Sequence, residues 1–148
     1  MPTITRKEIV MGFIYTGYCA NKTNVFKIGK TADERSPLSR LYANNITETG
    51  CIKVPHASKS ILFLLESVAR VVMEEELKLP YWNKRDDFFV YERTSTGQKN
   101  IEAHAIAEKV LNAVAMECEY REIPYEIVLS GFTMRGKASR FLQEVDWL

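Results

Sequence analysis

Gly12-Phe13-Ile14-Tyr15, then Val25-Phe26-Lys27-Ile28-Gly29-Lys30-Thr31, then Ser39-Arg40-Leu41 are the pieces whose reading decides the fold. The first two runs are β-branched and aromatic, the composition of strands. Between them Ala20-Asn21-Lys22-Thr23-Asn24 consists of turn formers, so the two runs read as an antiparallel hairpin. Gly29 closes the second strand, where a missing side chain permits a tight exit or a close backbone approach. Ser36-Pro37 then opens a short helix to about Asn45, with Ser at the cap and Pro in the first turn.

Outward from this hairpin, Asn45, Thr47, Thr49 and Gly50 read as a loop, and residues 51–54 as a third strand stopped by Pro55. Ser58 or Ser60 can cap a long helix that runs towards Leu79 and halts at Pro80. Ile61, Leu64, Leu65, Val68, Val72 and Met73 recur at three- and four-residue spacing and give it a core face. Glu66, Arg70 and Glu74 lie four apart on another face. Residues 87–91 read as a short edge strand or a hydrophobic clamp. The turn-rich connector 94–100 separates residues 9–93 from an extension over 94–148. That extension holds a helix from Ile101 to about Tyr120 with the stripe Ile106, Val110, Leu111, Val114 and Ala115. A strand over 123–129, a loop over 131–136 and a terminal helix over 138–147 complete it.

A chain of 148 residues has room for a sizeable core, and 46% hydrophobic with 26% charged residues is an ordinary globular balance. The net charge of +1 hides an asymmetry. Up to Ser60 nine Lys and Arg face four acids, giving +5 there and −4 in the remainder. A basic module joined to an acidic one fits a polyanion partner at the N-terminal end. Cys19, Cys51 and Cys118 form no CxxC pair and leave an odd count, the pattern of reduced thiols in an intracellular protein. With only His56 and His104 besides, zinc lacks ligands. Residues 1–8 carry no signal-peptide run, and 61–65 is too short to span a membrane. The expectation is an intracellular protein, cytoplasmic or nuclear.

Strand, turn, strand ending in Ile-Gly, then a helix carrying Arg resembles the opening of the GIY-YIG nuclease superfamily. Gly12, Ile14 and Tyr15, the run Phe26-Lys27-Ile28-Gly29-Lys30-Thr31 and Arg40-Leu41 resemble its phage-type DNA-binding branch more closely still. The likeness runs through the Glu66 helix to Asp87-Phe88-Phe89, about two-thirds of the chain. It implies an α+β (α/β) fold: a small three-stranded antiparallel sheet flanked by helices, with a C-terminal helical elaboration. It also implies a metal-dependent endonuclease acting on DNA with Mg²⁺ or Mn²⁺. Position by position, Tyr15 matches a tyrosine that organises or deprotonates water, Arg40 the arginine that contacts the phosphate, and Glu66 the metal-binding glutamate.

The second tyrosine is where this chain departs from the pattern. Lys27 stands two residues before Gly29, and the neighbouring Phe26 has no hydroxyl. Lysine occurs at this position in the phage-type branch and in some restriction-enzyme members. A neighbouring ammonium favours a phenolate, so Lys27 can keep Tyr15 ionisable. It can equally be a phosphate contact in a protein that only binds. Lys30, Arg35, Arg70 and Asn83 complete the nucleic-acid-binding candidates, with Arg35 the competitor of Arg40.

Each candidate has a purely structural reading. Tyr15 is aromatic strand packing, and Lys27 and Lys30 are edge charges that discourage mispairing. Glu66 interrupts an apolar run, so it requires a partner or a metal; a helix salt bridge to Arg70 would serve as well. Two other functions remain open: a catalytically silent DNA-binding module, and an interaction protein of viral or mobile-element origin that holds a host protein through the C-terminal part. A homodimer is compatible with each.

Overall fold

The structure is a computed structural model that describes residues 9–19, 24–31, 45–92, 101–129 and 137–138. The hairpin forms as its composition dictates. β1 (Ile9–Cys19) and β2 (Val25–Thr31) pair antiparallel, with Tyr15 opposite Gly29 and Gly17 opposite Lys27. Asn24 makes the left-handed step into β2 at φ 66°, a conformation that Asn tolerates better than most residues.

β3 (Ile46–Ser58) lies along the other edge of β1 and is much longer than expected. The residues read as a loop over 45–50 are strand from Ile46 onward, and Pro55 does not stop it. The reason lies in the register. β1 advances from Val10 to Gly12 while β3 advances from Ala57 to Val54, so β3 carries an extra residue around Pro55 and His56. A bulge frees a residue from the ladder, which is where a strand accepts proline. A second bulge, at Thr49, lies opposite the step from Thr16 to Gly17; there the buried hydroxyls of Thr16 and Thr49 hydrogen-bond at 2.8 Å.

Ser58 caps α1 (Lys59–Val71), its hydroxyl accepting from the Ile61 amide at 3.1 Å. The α-helical register ends well before Leu79. A π-helical turn follows (Val72–Glu76), closed by the Leu77 amide on the Val72 carbonyl, and it brings both Val72 and Met73 into the core. The buried stripe is Leu62, Leu65, Glu66 and Ala69, displaced by one residue from the expected Ile61 and Leu64. Next comes an unexpected hairpin of β4 (Tyr81–Asn83) and β5 (Phe88–Val90). α2 (Ile101–Tyr120) has the expected bounds and buries Val110, Leu111, Val114 and Ala115. β6 (Glu126–Leu129) pairs with β3, and the two-residue β7 (Lys137–Ala138) pairs with β6, so Ala138 is strand rather than the start of a helix. The rest of the expected terminal helix, like most of the helix expected from Pro37, lies outside the described residues.

The architecture is therefore α+β, but the expected three strands are the centre of a larger sheet. Its order is β4-β5-β2-β1-β3-β6-β7, antiparallel throughout. Phe88–Val90 is not at its edge, because β4 lies outside it. One face carries Ile14, Phe26, Ile28 and Ile52 and packs against Leu62, Leu65 and Ala69 of α1 and Ala107, Val110 and Val114 of α2. Each such large apolar side chain contributes about 1.5–3 kcal/mol on burial. The opposite face carries Phe13, Tyr15, Ile46 and Cys51, with Phe88 beside them. No helix among the described residues is long and apolar enough to cross a membrane.

Buried acids of this core set an alkaline limit. Burial pushes the thiols of Cys51 and Cys118 up to about 12 and the Tyr125 hydroxyl up to about 12. For Cys51 the charge of Glu48 adds to burial, and for Tyr125 its hydrogen bond to Glu119. The folded chain keeps these protons where the unfolded chain loses them. Their stabilisation is whole below about pH 9 and is lost as pH rises towards 12, at up to about 1.4 kcal/mol per pH unit per group. Burial and its hydrogen bond to Glu74 raise the Tyr81 hydroxyl in the same sense, whereas Lys27, lowered by burial, has the opposite sign, one group against four. Urea midpoints taken from about pH 8 to about pH 11 should fall, and Cys118→Ala should flatten the decline; a level profile would rule these groups out.

Candidate functional site

Strand alternation distributes the candidates. Tyr15 and Lys27 share the face of the sheet away from the helices, because Tyr15 lies opposite Gly29 and Lys27 is two residues from it. Lys30, opposite Ile14, projects to the helix-covered face. Tyr15 is 5% exposed and its ring occupies the space above Gly29. A Cβ on Gly29 would run into Tyr15 Cζ and Oη and come within 2.9 Å of Cε2. Gly29 is thus the seat of Tyr15. Gly29→Ala should cost about 1–3 kcal/mol by overpacking and displace the phenol. A urea midpoint, with near-ultraviolet circular dichroism for the tyrosine, measures both; a wild-type value for each would refute the contact.

On the helix side Glu66 lies within the buried stripe of α1, 6% exposed. Its Oε1 accepts from Lys30 Nζ at 2.9 Å and from Arg70 at 3.4 Å. The Lys30 ammonium also lies 5.4 Å from the Phe63 ring centre. Arg70 makes a second, two-pronged pair, through Nε to Asp87 Oδ1 at 3.0 Å and through Nη2 to Asp87 Oδ2 at 3.1 Å. This geometry, with both oxygens engaged, is the strong form of the arginine–carboxylate bond. Arg70 is the partner that the structural reading of Glu66 expects, and Lys30 is a second one supplied by the fold.

Asp87 joins the two faces. It closes the turn between β4 and β5 at φ 55°, and its carbonyl accepts from the Ile28 amide at 3.3 Å. One residue earlier, the Asp86 carbonyl accepts from Lys27 Nζ at 2.5 Å. Asn83 fixes the same turn, with its Nδ2 on Asp86 Oδ2 at 3.2 Å and its Oδ1 accepting from the Asp86 amide. Burial lowers the Lys27 ammonium below its ordinary range, against the opposing pull of Asp87, Asp86 and Glu66. Lys27, Lys30, Arg70, Glu66 and Asn83 therefore belong to one charged network wrapped around the edge of β2. β5 covers that edge only along Val25–Lys27; among the described residues no strand pairs with it from Gly29 onward.

The chain matches no family model, no curated protein and no solved structure. Arg40 and Arg35 lie outside the described residues. Asp87, the hub of the network, was not among the sequence candidates. Its available signal was the polar Lys84-Arg85-Asp86-Asp87 between the aromatic runs Tyr81-Trp82 and Phe88-Phe89, the pattern of a hairpin turn. No group of three or more His, Cys, Asp or Glu side chains suited to a metal ion occurs among the described residues. An open groove of about 580 Å³ lies elsewhere, between the end of the π turn and β5, and none of the candidate residues lines it.

Proposed function

We propose that the protein acts on DNA as a metal-dependent endonuclease of the GIY-YIG type, built on the central β2-β1-β3 strands. The observation that supports this reading is the edge of β2 beyond Ile28, along which no further strand pairs among the described residues, flanked by Lys27 on one face and Lys30 with Glu66 on the other. A phosphodiester seated there would meet ammonium groups from both sides, and cations beside developing phosphate charge are what the transition state requires.

The donor chemistry fits Mg²⁺ or Mn²⁺: hard oxygens, with Glu66 the carboxylate that would hold the ion and the other positions left to water and phosphate. Such an ion, when bound, supplies charge stabilisation at the phosphate and acidifies water. Of the chain's own groups, Tyr15 with Lys27 takes the proton of the attacking water. The new P–O bond forms as the bond to the leaving sugar oxygen breaks, and that oxygen takes a proton from solvent water. Lys30 and Arg70 transfer part of their pairing from Glu66 to the phosphate, and Arg40 is assigned to the same phosphate.

The second reading is a catalytically silent DNA-binding module. It is favoured by Glu66 Oε1, which already accepts from two cations in the manner of a structural ion pair. Plasmid nicking with Mg²⁺ or Mn²⁺, abolished by chelator, separates the two. Salt-sensitive DNA binding without cleavage would select the silent module. Loss of both activities would remove DNA from the account and turn the search to a protein partner.

A further inference from the structure

The β4–β5 hairpin carries an aromatic side chain that the core does not use. Tyr81 and Trp82 are neighbours in β4 but behave differently. Tyr81 packs its ring on Phe89, 4.4 Å between centres, and donates its hydroxyl to Glu74. Trp82 is 48% exposed on the other face, set T-shaped against Phe88 at 5.6 Å. Phe88 in turn lies under the Lys27 ammonium, 4.6 Å from the ring centre, and packs against the cluster that contains Tyr15. An aromatic row thus leads from the edge of the sheet towards Tyr15.

Cations accompany it. Lys84 and Arg85 follow at the turn, both exposed, and neither pairs with a carboxylate among the described residues. The acids of the turn are otherwise engaged, Asp86 with Asn83 and Asp87 with Arg70. The Lys84 ammonium lies 5.6 Å from the Tyr81 ring centre. An exposed indole on a strand that runs directly into a Lys-Arg turn is the chemistry that recognises a nucleic-acid strand: a flat ring for a base and cations for its phosphates. In a duplex the base faces are covered by stacking, so only an unpaired base can use the indole.

We propose that Trp82 is a stacking platform for an unpaired base of a DNA strand, with Lys84 and Arg85 on the neighbouring phosphates and Lys27 next along the path to Tyr15. The proposal rests on the DNA reading above and adds to it a preference for single-stranded, mispaired or bulged DNA over perfect duplex.

The sequence contains two tryptophans, so Trp147→Phe leaves Trp82 as the sole indole reporter. In that chain a short oligothymidine should quench the emission and bind more tightly than a duplex of equal length. Trp82→Ala should weaken oligothymidine binding about tenfold and leave duplex binding unchanged, while Trp82→Phe recovers most of the loss. Exchange of Lys84 and Arg85 for Glu should weaken both ligands and flatten their salt dependence. Oligothymidine binding without quenching, or Trp82→Ala weakening both ligands alike, overturns the platform and leaves the DNA reading standing. Failure to bind either DNA overturns both together.

Discussion

Glu66→Gln is expected to abolish metal-dependent cleavage in a chain that still folds. The substitution keeps the shape of the side chain and an oxygen able to accept from Lys30 or Arg70, but removes the charge that a divalent ion requires. Loss of one preorganised electrostatic element costs about a hundredfold or more in rate. The stability change is smaller, because Lys30 and Arg70 remain 35% and 30% exposed at their side chains, and water takes over part of the lost pairing. About 1–2 kcal/mol is the expected loss, less than for a fully buried ion pair. The nicking rate and the urea midpoint, measured on the same preparation, separate the two roles of Glu66. A rate that falls a hundredfold with a modest midpoint change assigns Glu66 to catalysis. A lowered midpoint with DNA binding unchanged or strengthened, in a wild-type chain that never cleaves, assigns it to structure alone.

Much of this site is legible in the chain because its members announce themselves locally. Glu66 interrupts an apolar helix face, Arg70 follows it by four, and Lys27 and Lys30 bracket Gly29, which reads as the end of a strand although β2 runs on to Thr31. Spacing along one element therefore delivers the Glu66–Arg70 contact, and the hairpin register delivers the position of Tyr15 over Gly29. The Arg70–Asp87 pair was not legible. It joins a helix to a turn seventeen residues later, and no local period connects them. In the sequence Asp87 reads as the first residue of the edge strand or clamp over 87–91. The length of β3 is hidden in the sequence for a similar reason. Proline lacks the amide a ladder needs, so Pro55 reads as a stop unless the bulge that exempts it is known, and a bulge is a property of two strands together. The division of Tyr15 and Lys27 from Lys30 and Glu66 between two faces follows from alternation once the register is fixed. What brings the groups back together is the turn that folds around the edge of β2.

That turn makes Arg70→Met the substitution with the largest expected effect on stability. Methionine replaces the packing of the aliphatic stem but leaves the Asp87 carboxylate, 13% exposed at its side chain, without its two-pronged partner. It also removes one of the two cations on Glu66. Breaking a buried pair from one side costs about 3–5 kcal/mol; with Arg70 nearly one-third exposed, about 2–3 kcal/mol is expected here. The loss should be local. Asp87 holds the β4–β5 turn to α1 by its side chain and to Ile28 by its carbonyl, so the hairpin is the unit that opens. Amide exchange should accelerate more at Ile28 and Val90 than at the amides of α2. Asp87→Asn in the same chain should recover a large part of the loss, because removing both charges leaves no uncompensated carboxylate. Full additivity of the two substitutions, or a midpoint within about 0.5 kcal/mol of wild type for Arg70→Met alone, would detach the hairpin from Arg70. If the coupling is found, Lys27, Lys30 and Trp82 owe their common setting to a single guanidinium, and Arg70 acts on DNA chiefly by holding the other contacts in place.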